Sequence, residues 1–550
     1  MNSQSSAFSR AIAWRPTLSS DALVLLASLF FALSANGPFW RGVLDGRVFA
    51  DAATWRFAAG VAVMLLAVHV LIVAPFAHRW VVKPLLALLL LVTAFASFFM
   101  QRYAVFLDPT MLRNVLRTDV KEARELLGPA LALHVLAFGV LPAALLWRVR
   151  VSARPWKRAL LWRIGLWFGA LAALVGALLL VFQDFSALMR NQTGLRYLIT
   201  PANYLYSLVD VLSVDAQQAA RPKQPIGLDA QRGPSWPSRQ RPMAFVLVIG
   251  ETARAANWAL NGYARQTTPE LARLPLISFS HTTSCGTNTE TSLPCMFAPV
   301  GRRDYDERRI RGSEGLLQVL QRAGLRLQWR DNQSGCKGVC DGVPVLQFDA
   351  KADTALCDGE RCLDQILLKG LDAAITQQDG PSVVVLHQLG NHGPAYYKRY
   401  PPELRRFTPT CDTPELRRCT REEIVNAYDN ALLATDHFLA QTIALLQRLS
   451  ATHDTALLYV SDHGESLGEN NIYLHGLPYA IAPREQTEVP MLMWFSDGFA
   501  KSRGLDLACL AQRAKQPASH DHLFHSMLGL LDVRTALYEA PLDFTTACRR

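Results

Sequence analysis

Charge is almost absent from five stretches in the first third of this 550-residue chain, and that absence limits the possible folds more than any other feature. The segments near Ala22–Ala35, Phe57–Phe76, Pro84–Phe99, Pro129–Trp147 and Leu160–Phe182 are apolar and nearly free of charge. A helix crossing a hydrocarbon core of about 30 Å needs ~20 such residues. A helix of a soluble core would be expected to keep one polar face. Five spans are therefore expected within 1–183, the first and third being the shortest. Their direction follows from Lys and Arg in short loops. Arg10 and Arg15 precede the first span, Arg79 and Lys83 follow the second, and Arg148, Arg150, Arg154, Lys157, Arg158 and Arg163 follow the fourth. All three groups fall on one side, which puts the N-terminus in the cytoplasm and everything after Phe182 outside. Arg41, Arg47, Arg102 and Arg113 on the other side weaken this bias without reversing it.

The cysteines agree with that direction. All 10 lie between Cys285 and Cys548. Pairing of Cys285 with Cys295, Cys336 with Cys340, Cys357 with Cys362 and Cys411 with Cys419 would close short loops in an oxidising compartment, leaving Cys509 and Cys548. Composition adds that 50% hydrophobic and 19% charged residues exclude a disordered chain. A net charge of +10 points to an anionic partner. Because the Arg-rich stretch after the spans lies outside the cytoplasm, that partner is expected to be membrane glycolipid and not nucleic acid.

Three regions are expected: a transmembrane domain over 1–183, interfacial helices and a linker over 184–242, and a periplasmic catalytic domain over 243–550. Leu195–Leu212 mixes Tyr197, Tyr204, Tyr206 and Arg196 with leucines, as an interfacial helix does. Asp215–Pro242 is rich in Pro, Arg, Gln and Ser and reads as the linker. After it, apolar runs at Met243–Ile249, Ser382–Leu386 and Leu457–Val460 alternate with helix-like stretches such as Glu314–Ala323 and Glu422–Gln447. That alternation predicts an α/β domain with a mostly parallel sheet covered on both faces, its site beyond the carboxyl ends of the strands.

The strand ends carry acids and imidazoles. Glu251 follows the first run, His387 and His392 the second, and Asp462 and His463 the third. Carboxylates and imidazoles converging from separate strands suit a catalytic zinc with one open position. A hydroxyl at such a metal becomes a nucleophile near neutral pH. Ser284-Cys-Gly-Thr-Asn-Thr-Glu-Thr-Ser-Leu-Pro-Cys295 offers Thr287, Thr289, Thr291 and Ser292, and residue type does not choose among them.

The ordered series Gly250-Glu-Thr252, Ser284-Cys-Gly-Thr-x-Thr289, Leu293-Pro-Cys-Met-Phe297, Trp329-Arg-Asp-Asn332, His387-Gln-x-Gly-Asn-His-Gly-Pro394 and Ser461-Asp-His-Gly-Glu-Ser466 resembles the lipid A phosphoethanolamine transferases, which include the mobile colistin-resistance enzymes. The resemblance also covers the five-span half. It implies an alkaline-phosphatase/sulfatase-like periplasmic domain behind an α-helical membrane domain in the bacterial inner membrane. It implies transfer of phosphoethanolamine from phosphatidylethanolamine to a lipid A phosphate through a phospho-threonine, with resistance to polymyxins such as colistin as the result. A related transfer of phosphoethanolamine or phosphoglycerol to a periplasmic glycan is the alternative. By motif, Thr289 is the nucleophile, and Glu251, Thr289, Asp462 and His463 hold one zinc firmly, with a second ion conceivable. Ser334, Lys337, His387, His392 and His475 fall at the substrate side. Asn114, Thr118 and Glu122, one helical face at a four-residue spacing, fall where the family contacts its lipid donor. A monomer is expected. Sulfatases proper carry Cys-x-Pro-x-Arg, which does not occur here, so sulfate ester hydrolysis is disfavoured. The family often has a small residue where Glu290 stands.

Overall fold

The computed structural model describes residues 15–118, 120–219, 222–237, 239–377 and 380–549, without the side chains of 121, 122 and 217–219. Arg10 and the Glu122 side chain lie outside the described residues. The chain forms two compact units. One holds the residues up to Leu112 with Leu127–Val211, and the other holds Arg113–Leu126 with Leu212 onward. The short segment Arg113–Leu126, flanked in sequence by spans, thus belongs to the soluble unit.

In the first unit, helices α1 (Ser20–Ser34) and α2 (Gly37–Leu44) are followed by α3 (Ala52–Val73) and α4 (Val82–Tyr103). Among the described residues, four helices are long and apolar enough to cross a membrane: Ala52–Phe76, Val82–Tyr103, Pro129–Arg148 and Trp156–Leu180. A fifth crossing exists if α1 and α2, bent by 61°, count as one span. The first expected span is thus a 15-residue helix that bends into a second, shorter one. The reason lies at Asn36. Its side-chain amide donates to the carbonyls of Phe31 and Thr200 at 2.8 Å each, and its Oδ1 accepts from Thr200 N–H at 2.9 Å, which satisfies the backbone at the bend. Leu33, Leu133, Leu161 and Leu179 are exposed on the outer faces, as lipid contact requires.

Helix α5 (Pro109–Arg117) begins with Asp108 Oδ1 accepting from Met111 N–H at 2.8 Å. It does not continue as far as Glu122. The Thr118 hydroxyl donates to the Asn114 carbonyl at 2.8 Å, competing with the next helical bond, and α6 (Val120–Glu125) starts afresh. Asn114 and Thr118 share a face, while Glu122 belongs to the second helix. The span Pro129–Arg148 (α7) and Trp156–Leu180 (α8) precede α9 (Ala202–Ala219). Pro201 sets the start of α9, inside the expected interfacial helix, and α9 runs past Asp215, so the irregular linker is shorter than the sequence suggests.

The soluble unit is built on a seven-stranded sheet: β1 (Met243–Gly250), β2 (Ile277–Phe279), β3 (Arg326–Asp331), β4 (Val345–Gln347), β5 (Ser382–His387), β6 (Asp454–Ser461) and β7 (Met491–Phe495). Their order is β2-β7-β6-β1-β5-β3-β4, and only β7 runs antiparallel to its neighbours. The continuous apolar runs of β1, β5 and β6 are explained by two cores, one per face. Phe245, Leu247 and Ile249 enter one, while Ala244, Val246 and Val248 enter the other. The first face is covered by α13 (Asp521–Leu531), through Phe524 and Met527. The second is covered by the 29-residue α12 (Arg421–Leu449), which opens with a capping box between Thr420 and Glu423. Two shorter helices, α10 (Thr289–Met296) and α11 (Glu307–Gly312), complete the site side.

Five disulfides close in this unit. As expected from their spacing, Cys285 bonds Cys295, Cys336 bonds Cys340, Cys357 bonds Cys362, and Cys411 bonds Cys419. The two cysteines left over, Cys509 and Cys548, bond each other across 39 residues. No free thiol remains, so thiolate coordination of a metal has no candidate.

Candidate active site

Strand register places the acids. Gly250 pairs with Ser461 across β1 and β6, so the next residues, Glu251 and Asp462, leave the sheet side by side. Adjacent strands lie about 4.8 Å apart, which is the reach of two carboxylates toward one ion. His387 pairs with Ile249, two residues before Glu251, and therefore sits deeper. It is fully buried, with Nδ1 3.1 Å from Asp331 Oδ2. The loop after β5 is pressed onto Glu251. Gly390 has φ +54°, and a Cβ there would lie 2.5 Å from the Glu251 carbonyl oxygen, so only glycine fits.

The turn between Cys285 and Cys295 separates its four hydroxyls. The Thr287 hydroxyl donates to the Leu477 carbonyl at 2.6 Å, and the Ser292 hydroxyl donates to the Asp462 carbonyl. Thr291 Oγ1 is buried without a bond. Thr289 alone faces the acids: its Oγ1 lies 3.0 Å from Glu251 Oε2, 3.2 Å from Glu251 Oε1 and 3.3 Å from His463 Nε2. It is the first residue of α10, capped by Asn288, whose side chain accepts from Thr291 N–H at 2.9 Å. The disulfide between Cys285 and Cys295 ties this turn to its helix.

Ligand atoms of Glu251, Asp462 and His463 lie within 4.8 Å of one another and all three residues are buried. The donor set fits zinc. Asp462 Oδ1 accepts from Thr252 N–H at 3.2 Å and from His463 N–H at 2.7 Å, whereas Asp462 Oδ2 is buried with no hydrogen bond. His463 Nδ1 donates to the Gly464 carbonyl at 2.9 Å, which turns Nε2 toward Thr289 and Glu251. Against burial, the Asp462 charge and the Glu251 hydrogen bond push the imidazole up to about 10, so Nε2 carries a proton that a metal would displace. Burial, with the Glu251 charge, pushes the Asp462 carboxyl up. Burial acts the same way on Glu251, but the His463 hydrogen bond and charge outweigh it and hold that carboxyl well below its usual range.

Sequence reasoning assigned no role to the residues that orient these groups. Gln333 Nε2 donates to Glu251 Oε2 at 2.9 Å, and the Thr252 hydroxyl donates to Glu251 Oε1 at 2.6 Å. Glu465, fully buried, takes the Tyr396 hydroxyl and lies 2.7 Å from His475 Nδ1. The His475 ring is 4.4 Å from that of His463 and 5.5 Å from that of His392. Arg399 Nε donates to the His392 carbonyl at 2.7 Å, and Arg399 Nη2 donates to Glu125 Oε2 at 2.6 Å. Glu465 lies inside a quoted motif and Gln333 directly follows one, the only signal that could have found them. Lys337 Nζ donates to Ser334 Oγ at 2.8 Å. A cavity of about 170 Å³ is lined by Arg117, Lys223, Arg311 and Lys337. Asn114 and Thr118 lie on the segment whose Arg117 reaches Glu290, the residue after Thr289. His522 and His525 lie on α13, where His525 Nε2 is 3.1 Å from the Pro299 carbonyl.

Comparison with known proteins agrees with this architecture. Residues 244–533 match the sulfatase family model, and residues 65–216 match that described as phosphoethanolamine transferase EptA/EptB. The chain is 38% identical over 540 residues to phosphoethanolamine transferase EptA of Escherichia coli K12, covering 98% of each. It is 38% identical over 531 residues to phosphatidylethanolamine transferase Mcr-1 of Escherichia coli, covering 94% of this chain and 96% of that one. Among solved structures, the integral membrane lipooligosaccharide phosphoethanolamine transferase A of Neisseria meningitidis superposes with a TM-score of 0.92 at 38% identity, over 97% of this chain and 100% of that one. With helical membrane part, sulfatase-like sheet and near-complete coverage all shared, the chain belongs to the phosphoethanolamine transferase family, as a multi-pass membrane enzyme of the transferase class.

Proposed function

We propose that the protein moves phosphoethanolamine from phosphatidylethanolamine to a lipid A phosphate through a phospho-threonine at Thr289. The observation that supports this reading most is the Thr289 hydroxyl, the only one of four in its segment that faces Glu251 and His463. Zinc held by Glu251, Asp462, His463 and Thr289 Oγ1 would lower the pKa of that hydroxyl and offset charge on the phosphate. Thr289 Oγ1 attacks the phosphorus of the donor, the phosphorus–oxygen bond to glycerol breaks, and diacylglycerol leaves with a proton. A lipid A phosphate oxygen then attacks the same phosphorus and Thr289 is released. His475, oriented by Glu465, and His392, with its backbone held by Arg399, would move the proton. Ser334 and Lys337 offer a hydrogen bond and a charge to the phosphate. Asn114, Thr118 and Glu122 contact the donor headgroup.

The compartment supports that acceptor. The protein is a multi-pass inner-membrane protein with its soluble unit in the periplasm. Each added ethanolamine amine lowers the negative charge of the outer surface and weakens binding of cationic peptides such as polymyxins. Mass spectra of lipid A from cells expressing the chain test the reading. Wild type adds phosphoethanolamine and Thr289→Ala adds none. Unmodified lipid A with a modified periplasmic glycan would replace the acceptor, and undiminished addition by Thr289→Ala would remove the nucleophile.

A further inference from the structure

Glu290, one residue past Thr289, is wholly buried, yet two arginines reach it. Arg117 Nη1 lies 2.5 Å and Arg311 Nη2 2.9 Å from its Oε1. Each arginine continues a chain of charges. Arg117 Nη2 donates to Asp215 Oδ2 at 3.1 Å, and Asp215 Oδ1 accepts from Arg113 Nε at 3.3 Å. Arg113 bonds Glu307, whose Oε1 accepts from Arg311 Nε at 3.0 Å. The path Glu290–Arg117–Asp215–Arg113–Glu307–Arg311 returns to Glu290. Three acids and three arginines alternate, every charge has two opposite neighbours, and the sum is zero. Two helices supply four of the six members at i,i+4 spacing, Arg113 and Arg117 on α5 and Glu307 and Arg311 on α11.

A single exposed ion pair would carry little meaning. This ring differs because the side chains of Glu290, Arg113 and Arg311 are 0%, 1% and 7% exposed, so removing a member strands a buried charge. Its placement also matters. Arg117 lies directly before Thr118 and one turn after Asn114, while Glu290 is joined by one peptide bond to Thr289. We propose that the ring is a positioning device for the transfer reaction: it holds the donor-contacting face of α5 at a fixed distance from the nucleophile, with Glu290 as the link. This rests on the reading of Thr289 as nucleophile and of Asn114 and Thr118 as donor contacts. Glu290 and Glu307 are then positioning residues that act through α5 on where the lipid headgroup sits.

The test uses the full-length protein in detergent with two reactions: transfer from phosphatidylethanolamine to lipid A, and hydrolysis of bis-p-nitrophenyl phosphate, a small diester with no headgroup for α5 to hold. Glu290→Gln, Glu307→Gln and Arg117→Gln are each expected to raise KM for phosphatidylethanolamine by about tenfold while diester hydrolysis stays within about twofold of wild type. Arg117→Lys, which keeps the charge, stays near wild type in both. Asp215→Asn, at the open edge of the ring where loss of fold is least expected, gives the same KM shift, and unfolding curves confirm that each variant is folded. Unchanged KM in folded Asp215→Asn or Glu307→Gln overturns the ring as a unit. An equal fall of both reactions in Glu290→Gln overturns action through α5. Thr289→Ala serves as the separate control: it loses both reactions if the nucleophile reading holds, and retention of both would overturn that reading by itself.

Discussion

Asp462 is prepared by unequal treatment of its two oxygens. Backbone N–H groups of Thr252 and His463 hold Oδ1, which fixes the plane of the carboxylate and leaves Oδ2 buried and unbonded beside Glu251. Behind it, His520 Nδ1 accepts from Cys285 N–H at 3.0 Å, and its Nε2 donates to the Ser461 carbonyl at 2.9 Å. It thereby ties the Cys285–Cys295 turn to the end of β6. That pattern requires a neutral ring. Burial pushes His520 down to about 4, against the Ser461 carbonyl and with the help of His463. The folded value is depressed below 6.5, so its stabilising contribution is complete above pH 6.5 and is lost as pH falls toward 4. The loss amounts to about 3 kcal/mol. His520→Gln keeps a donor and an acceptor but does not titrate, so denaturant midpoints at pH 7 and pH 4 should differ less than in wild type. The ligand-bearing acids were legible in the sequence because they follow apolar runs. His520, Gln333 and Glu465 were not, since a residue that orients another through one hydrogen bond has no fixed spacing from it.

Among the elements, α10 sets where the Thr289 hydroxyl stands. Asn288 caps it through Thr291 N–H and Thr289 opens it, so the cap sets the direction of the hydroxyl that faces Glu251. Asn288→Ala should cost about 1 kcal/mol of stability, read from a melting curve. Transfer should fall by about tenfold, because the first residue of an uncapped helix is no longer held in one orientation. The expected parallel sheet was visible in three apolar runs, whereas β2, β3, β4 and β7 were not. Of these, β4 has every residue exposed, and β3 reads Arg326-Leu-Gln-Trp-Arg-Asp331, with too many polar residues for a continuous apolar signal. The break at Thr118 was equally hidden, because a hydroxyl returning to the Asn114 carbonyl is a local choice that helix periodicity does not record.

The whole molecule divides its labour between an apolar unit and a disulfide-laced one, and the site belongs to the second. Glu251, Asp462 and His463 leave neighbouring strands, so an ion bound there cross-links β1 to β6. Zinc at 100 times its dissociation constant should stabilise the protein by about 2.7 kcal/mol, visible as a raised melting temperature that chelation reverses. Asp462→Asn should abolish that response while leaving the melting of the metal-free protein close to wild type. The amino-acid sequence by itself determined the membrane half, its direction, the oxidising compartment and the identity of the strand-end acids. Each of these is set by local composition, whether by the length of an apolar run, the side on which Lys and Arg fall, or the residue that follows a buried strand. Only the tertiary structure decided which of four hydroxyls faces the acids, that His387 lies too deep to join them, and that six charges from four distant segments close into a ring. The physical reason is that these depend on strand register and helix packing, which bring together residues that no spacing along the chain relates.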